Sequence, residues 1–306
     1  MYSYQLYYLH LWNFENPASF EEMSFMKLSM LFLVIGITAL CALLALNFTK
    51  ASKMEHTHLA NKPVLHINDI AAPAGFHRTT GPGDSGWYNY FRHVSLKSSK
   101  TVYLYNGHPK VNQSAQYAVL DIPVGHKDLQ QCADAVIRLH AEYAYGNKNF
   151  KALRFLATDG TWMEYTEWIK GFRYLLKNNR LMKSKTAAAA ESRTVFDQFM
   201  ETVFIYAGTI SLSRQAQKLP ANAPVRPGDA LIDAGSPGHA VVVVDVAEDS
   251  RGNRVCLLAQ SFMPAQDIHI LQHYGSVHPW YVIRPGKPLN TPEWYFPEAQ
   301  LYRLFP

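Results

Sequence analysis

Several signatures of familiar chemistry are missing from this chain. Its 306 residues hold no Gly-x-Ser-x-Gly nucleophile elbow and no Gly-rich dinucleotide fingerprint, and "YNGHPKVNQ" lacks the spacing of a phosphate loop. Those absences argue against serine hydrolases of that kind and against nucleotide-cofactor enzymes; no cofactor is expected. Charge is sparse, at 17% of residues with a net +5, and no dense Lys/Arg stripe occurs. A nucleic-acid partner is therefore not expected. Cysteine is scarce as well: Cys41, Cys132 and Cys256 are the three. Cys41 falls in an apolar run, which leaves Cys132 and Cys256 to pair, to pack as small hydrophobes, or to react.

Charge is absent altogether between Leu28 and Leu46. With Lys27 before it and Lys50 and Lys53 after it, residues 26–46 read equally as a cleaved signal peptide or a retained membrane anchor. Leu40 precedes Cys41 where a lipoprotein site needs a small residue, so lipidation there is not expected. Residues 1–25 contain acids but neither Lys nor Arg and fit no export pattern. Translation is expected to start at Met26, with 1–25 a mis-assigned extension. Residues 47–75 read as a linker and 76–306 as a single domain working outside the cytoplasm, in the periplasm or anchored at the envelope.

What is present is apolar and aromatic: 48% hydrophobic residues, with 18 Tyr and 6 Trp. That is ample for one sizeable core. "VYLY" at 102–105 and "YAVL" at 117–120, with Asn106-Gly107 as turn signal, predict an N-terminal hairpin. Asp128 as cap and Gly146 as stop frame a helix with apolar residues at helical spacing. The aromatic stretch from Thr161 to Arg180 and the Ala-rich stretch from Lys185 to Gly208 predict further helices, and "ISLSRQAQKLP" a short one. From Arg226 the pattern turns to strands: Ala230–Ile232, Ala240–Asp245, Val255–Ala259 and part of "HPWYVIRP". The four-valine run is continuous enough to be buried on both faces. The class predicted is α+β, with helices packed on an antiparallel β-meander.

One turn in this pattern carries more than turn residues. "DAGSPGH" places His239 at the lip of the four-valine strand. A cysteine at a helix start and an imidazole at a later strand form a useful pair. The helix N-terminus stabilises a thiolate, and the imidazole takes and returns the proton. Cys132 is the candidate nucleophile, His239 the base, and Gln260 in "LLAQSF" the side chain placed to orient the ring. The backbone N–H of Cys132 with the Gln131 side chain would meet the oxyanion. Ser236, Gly238, Ser261 and Trp162 are candidates to contact substrate.

"CADAVIRLHAEY" followed by "RPGDALIDAGSPGHAVVVVDV" resembles NlpC-type and CHAP-type cell-wall peptidases, papain-like enzymes with a Cys opening a helix and a His opening a strand. That resemblance implies a papain-like core, with Gly228-Asp229 opening a strand and peptidoglycan stem peptides as substrate class. From about Gly75 onward the chain more closely resembles a bacterial envelope family, domain-of-unknown-function family 4846. "LQQCADAVIRLHAEY", "PGDALIDAGSPGHAVVVVDVA" and "LLAQSFMPAQDIHIL" carry that likeness, which implies export and a shared fold but no established activity.

Plainer readings stand beside these. Cys132 lies on the apolar stripe of its helix and suits a buried hydrophobe or a disulfide with Cys256. Asp229 suits a turn-former, and Gln260 and Ser261 suit groups that satisfy buried backbone. His269 and His273 have helical ligand spacing but occur in strand and loop, so with His278 they are not expected to bind metal. Trp162, Trp168 and Tyr174 fit a core as well as a glycan groove. The expected function is a thiol-dependent amidase or peptidase of the cell envelope. The alternatives are a non-catalytic glycan- or peptide-binding module and a scaffold subunit of an envelope complex.

Overall fold

The computed structural model describes residues 65–81 and 86–304. The chain divides into two compact units, Met1–Pro63 and Val64–Pro306. The first, including the expected start and the apolar segment 28–46, lies outside the described residues. Among the described residues, no helix is long and apolar enough to cross a membrane. The second unit mixes α and β structure, with few helices on a mostly antiparallel sheet. Ile67 and Ile70, assigned above to the linker, are buried in its core, so the packed unit starts ahead of residue 76.

The main sheet has nine strands. In chain order they are β1 (Phe76–Arg78), β2 (Gln116–Val119), β3 (Gln217–Lys218), β4 (Asp229–Asp233), β5 (His239–Asp249), β6 (Arg254–Gln260), β7 (His269–Leu271), β8 (Trp280–Tyr281) and β9 (Leu301–Arg303). Across the sheet they run β2-β7-β6-β5-β4-β9-β3, with β8 paired to β6 and β1 to β5. The central β5 explains the valine run. Ala240, Val242 and Val244 enter one apolar cluster, and Val241, Val243 and Val246 enter another on the opposite face. A bulge between Val243 and Asp245 inserts a residue, which is why Val246 and Ala247 continue on faces that strict alternation would exchange.

Helices cover the first face: α1 (Gly86–Arg92), α2 (Cys132–Gly146), α3 (Tyr165–Trp168), α4 (Arg193–Tyr206) and α5 (Thr209–Gln215). The second face is covered by C-terminal chain, including a ribbon of Leu289–Asn290 with Tyr295–Phe296. Strands near the middle of the sheet therefore have no wet face.

Four expected elements differ. First, α2 starts at Cys132, with Gln131 as its cap residue, rather than being capped by Asp128. Asp134 Oδ2 accepts the Gln131 N–H at 3.0 Å and ties the first turn. Asp128 Oδ1 instead accepts Ala265 N–H at 2.6 Å. Second, the stretch Thr161–Arg180 is no single helix. It is a strand (Trp162–Glu164), the one-turn α3, and a ribbon of Phe172–Lys177 with Arg180–Lys185. Asn178 and Asn179, at φ 51° and 59°, supply the left-handed pair that a tight hairpin needs.

Third, the alanines of the Ala-rich stretch stay outside the helix, which begins at Arg193 behind a Ser192 cap accepting Val195 N–H at 3.2 Å. Ala187 N–H donates to Gly171 O and Ala190 N–H to Ile169 O. A Cβ on Gly171 would lie 2.1 Å from Ala187 O, so this backbone approach requires glycine and overrides alanine's helix propensity. Fourth, the N-terminal hairpin is shorter than expected. The chain turns at Asn106-Gly107, where Leu104 N–H donates to His108 O at 2.8 Å and Lys110 N–H to Val102 O at 2.9 Å, while Gln116–Val119 pairs with β7 instead of Val102–Tyr105.

Candidate functional site

Cys132 occupies the first residue of α2, where the helix's unsatisfied N–H groups converge. Its Sγ lies 3.8 Å from Gly238 O. The thiol is buried at 8% exposure, and burial pushes its pKa up, as does neighbouring Asp134. The backbone N–H groups of Ala133, Ala240 and Cys132 itself act in the opposite sense, favouring thiolate. Two of these N–H groups come from the helix start and one from β5. The sulfur thus meets main chain on both sides of His239.

The loop before His239 is shaped by close approach. A Cβ on Gly238 would sit 2.5 Å from Thr209 Oγ1 and 2.7 Å from Gly235 O. Only glycine lets this loop settle on the start of α5, where Thr209 Oγ1 also donates to Gly235 O at 3.3 Å. Beside it opens a depression of about 620 Å³ lined by Gln131, Cys132, Ser236, Gly238, Thr209 and Met263. Gln131, Cys132, Ser236 and Gly238 of the candidate residues therefore share one hollow.

His239 begins β5 and is 1% exposed. Its ring stacks on Trp294, with centroids 5.0 Å apart, and meets Phe262 edge-on at 5.1 Å. Burial lowers its pKa to about 4, so the ring is neutral near pH 7. Nε2 lies 2.8 Å from Gln260 Oε1, whereas Nδ1 is buried and without a hydrogen-bond partner. His239 and Gln260 are thus joined. No hydrogen bond joins Cys132 Sγ to either ring nitrogen.

Gln260 leads to groups that the sequence pattern did not single out. Its Nε2 donates to Glu293 Oε2 at 2.8 Å and faces His269 Nε2 at 3.5 Å. Glu293 Oε2 also accepts from Lys110 Nζ at 2.6 Å, and that lysine is 6% exposed. Burial opposes ionisation of Glu293, yet the carboxyl is held below its ordinary value, with the Lys110 ammonium donating to it at 2.6 Å. His269 lies 3.8 Å from Glu293, yet burial pulls its own pKa down. Burial favours the neutral His269 ring, and Asp267 O, 2.9 Å from Nδ1, can only accept, which places the ring's single proton on Nδ1. Trp294 Nε1 donates to Asp233 Oδ2 at 3.1 Å, which fixes the indole over the imidazole.

Other candidate residues are placed elsewhere. Ser261 Oγ lies 2.8 Å from both Gln130 O and Gln266 O, a structural tie beneath the helix start. Trp162 does not line the hollow; it is half-exposed under the Arg154 guanidinium, 4.1 Å away. Trp168 and Tyr174 are buried and stacked on each other. Asp229 pairs with Arg303 at 2.7 Å and closes a turn by accepting Arg226 N–H. Cys132 and Cys256 are both free, which corrects the disulfide alternative. Among the described residues, no group of three or more His, Cys, Asp or Glu could hold a metal ion.

Residues 67–303 match the family described as Domain of unknown function (4846). The chain belongs to that family. The match spans every site residue named above, from Lys110 to Trp294, so the thiol, the imidazole and the glutamine lie within the family domain. No curated protein and no solved structure matches the chain.

Proposed function

We propose that this family member is a thiol-dependent amide hydrolase or acyl transferase with a papain-like site, acting on peptides of the cell envelope. The observation that carries the reading is the seating of Cys132 Sγ. It rests at a helix start against Gly238 O, next to a histidine whose far nitrogen is held by Gln260 and whose near-backbone nitrogen is unpartnered. A buried polar atom left unpaired is uncommon, and functional sites are where it is tolerated.

In this reading the imidazole takes the thiol proton on Nδ1, and the thiolate attacks the amide carbonyl carbon. The C–S bond forms, the C–N bond breaks, and the imidazolium returns its proton to the departing amine. Water then hydrolyses the thioester, releasing the acid and restoring the thiol. The Cys132 N–H and the Gln131 side chain, both at the hollow, would meet the oxyanion. Resting contacts in such sites tighten when substrate binds, so thiol and ring need not touch beforehand. A peptide would fit the open hollow of about 620 Å³. The apolar segment 28–46 would deliver the domain outside the cytoplasm.

One observation favours a second reading, a binding module without catalysis. Burial keeps the thiol neutral and the imidazole neutral together, so no ion pair exists at rest. Alkylation of Cys132 in the full-length chain, followed against pH by peptide mass spectrometry, separates the two. The enzyme reading expects labelling well below the ordinary thiol range of about 8.5, reduced about tenfold or more in His239→Ala. A Cys132 that reacts only upon unfolding leaves the binding module.

A further inference from the structure

We infer that Glu293, backed by His269, is a positioning residue that fixes the tautomer of His239 by dictating which way the Gln260 amide faces. This role deepens the thiol–imidazole reading and rests on it for its purpose, although the bonds that set the tautomer do not involve the thiol.

The chemistry runs through donors and acceptors only. Asp267 O accepts from His269 Nδ1 at 2.9 Å, and a carbonyl cannot donate, so the proton of neutral His269 resides on Nδ1. Its Nε2 is then a bare acceptor, 3.5 Å from Gln260. The Glu293 carboxylate, held ionised by Lys110 at 2.6 Å, can also only accept. Two acceptors on one side of Gln260 require its NH2 there, and its two hydrogens serve both. Oε1 must then face His239 Nε2, 2.8 Å away, and that nitrogen must carry the hydrogen.

Nδ1 is consequently the unprotonated nitrogen, buried and without a partner, on the ring whose flanking backbone holds the Cys132 thiol. The amide of Gln260 alone could turn over and offer NH2 instead, which would shift the ring proton to Nδ1 and block it as a base. Glu293 forbids that state. Its negative charge also favours the imidazolium that the reaction creates. Glu293 approaches neither the thiol nor the hollow, so its effect passes through Gln260.

Full-length chain labelled with 15N-histidine, observed by NMR, reads the tautomer directly. Wild type is expected to carry the His239 proton on Nε2. Glu293→Gln, whose amide can donate as well as accept, is expected to give a mixture of both tautomers. The same variant should move the pH profile of Cys132 alkylation by roughly 1 pKa unit toward alkaline pH, while Glu293→Asp retains the wild-type tautomer. A wild-type ring protonated on Nδ1 overturns the proposal without any variant, as does an unchanged tautomer in Glu293→Gln. If the tautomer responds but Cys132 never labels in the native chain, the positioning stands and the hydrolase reading falls.

Discussion

His140 and His239 are both kept neutral by burial, with pKa values lowered to about 4. His140 has its Nδ1 on Val136 O at 2.7 Å and its ring against Trp87 at 5.0 Å. The unfolded chain protonates such a histidine near pH 6.5, whereas the folded chain resists until about pH 4. Stability is therefore intact above the unfolded value and falls as pH drops through this window. His140→Met removes one proton from that linkage. Between those two pH values, chemical denaturation should show the variant losing about 1.4 kcal/mol less per pH unit than wild type. Equal slopes would place the titration elsewhere. At this scale the sequence offered Cys132, His239 and Gln260 as candidates from residue type and order along the strands, and the structure joins His239 to Gln260 at 2.8 Å. Glu293 was not visible: its bond to Lys110 joins positions 183 residues apart, and "TPEWYF" presents one acid in an aromatic loop with nothing to say what it meets.

Elements show where local propensity yields to tertiary contacts. The start of α2 decides whether Cys132 feels the helix terminus, and sequence spacing alone favoured Asp128 as cap. The acid that does this work is Asp134, and its other oxygen is buried without a partner. Burial pushes the Asp134 pKa well above the ordinary carboxylate value, so the charge that opposes a thiolate grows in as pH rises; Asp134→Asn keeps a carbonyl oxygen for Gln131 N–H and removes that charge. The expected result is Cys132 alkylation displaced to lower pH, with unfolding free energy within about 1 kcal/mol of wild type. A displacement to higher pH would show that the carboxyl assists the thiolate. The buried strands β4, β5 and β6 were legible from their apolar runs. The ribbon at Asn178-Asn179 was not, since its aromatic residues fit helix and strand periods alike, and two asparagines signal a turn less strongly than Asn-Gly.

For the whole molecule, the decisive charge is Asp245, fully buried on β5 just past the bulge. Arg78 Nε reaches its Oδ2 at 2.5 Å and Arg92 Nε its Oδ1 at 3.0 Å. Arg78 also donates to Ile70 O at 2.6 Å and Arg92 to Thr79 O at 2.6 Å. One carboxylate thereby fastens residues 67–81 and 86–92 to the centre of the sheet, which a reading of 47–75 as linker could not foresee. Asp245→Ala leaves two guanidinium groups without their partner. It should lower unfolding free energy by about 3 kcal/mol and speed amide exchange first in residues 67–79. Exchange that accelerates uniformly would contradict a local clamp. The mixed α/β class followed from element order, but the coverage of the second sheet face by the C-terminal ribbon depended on contacts between distant segments.

The indole over His239 has an optical consequence. Trp294 lies parallel enough to the imidazole, at 30° and 5.0 Å, for a positive charge on that ring to act directly on its π system. An excited indole is sensitive to such a neighbour. The protein therefore carries its own fluorophore at the candidate site, one whose emission dims when His239 gains a proton and recovers when it is lost. Stopped-flow mixing with a candidate peptide could thus follow the imidazole's charge during turnover without any added label.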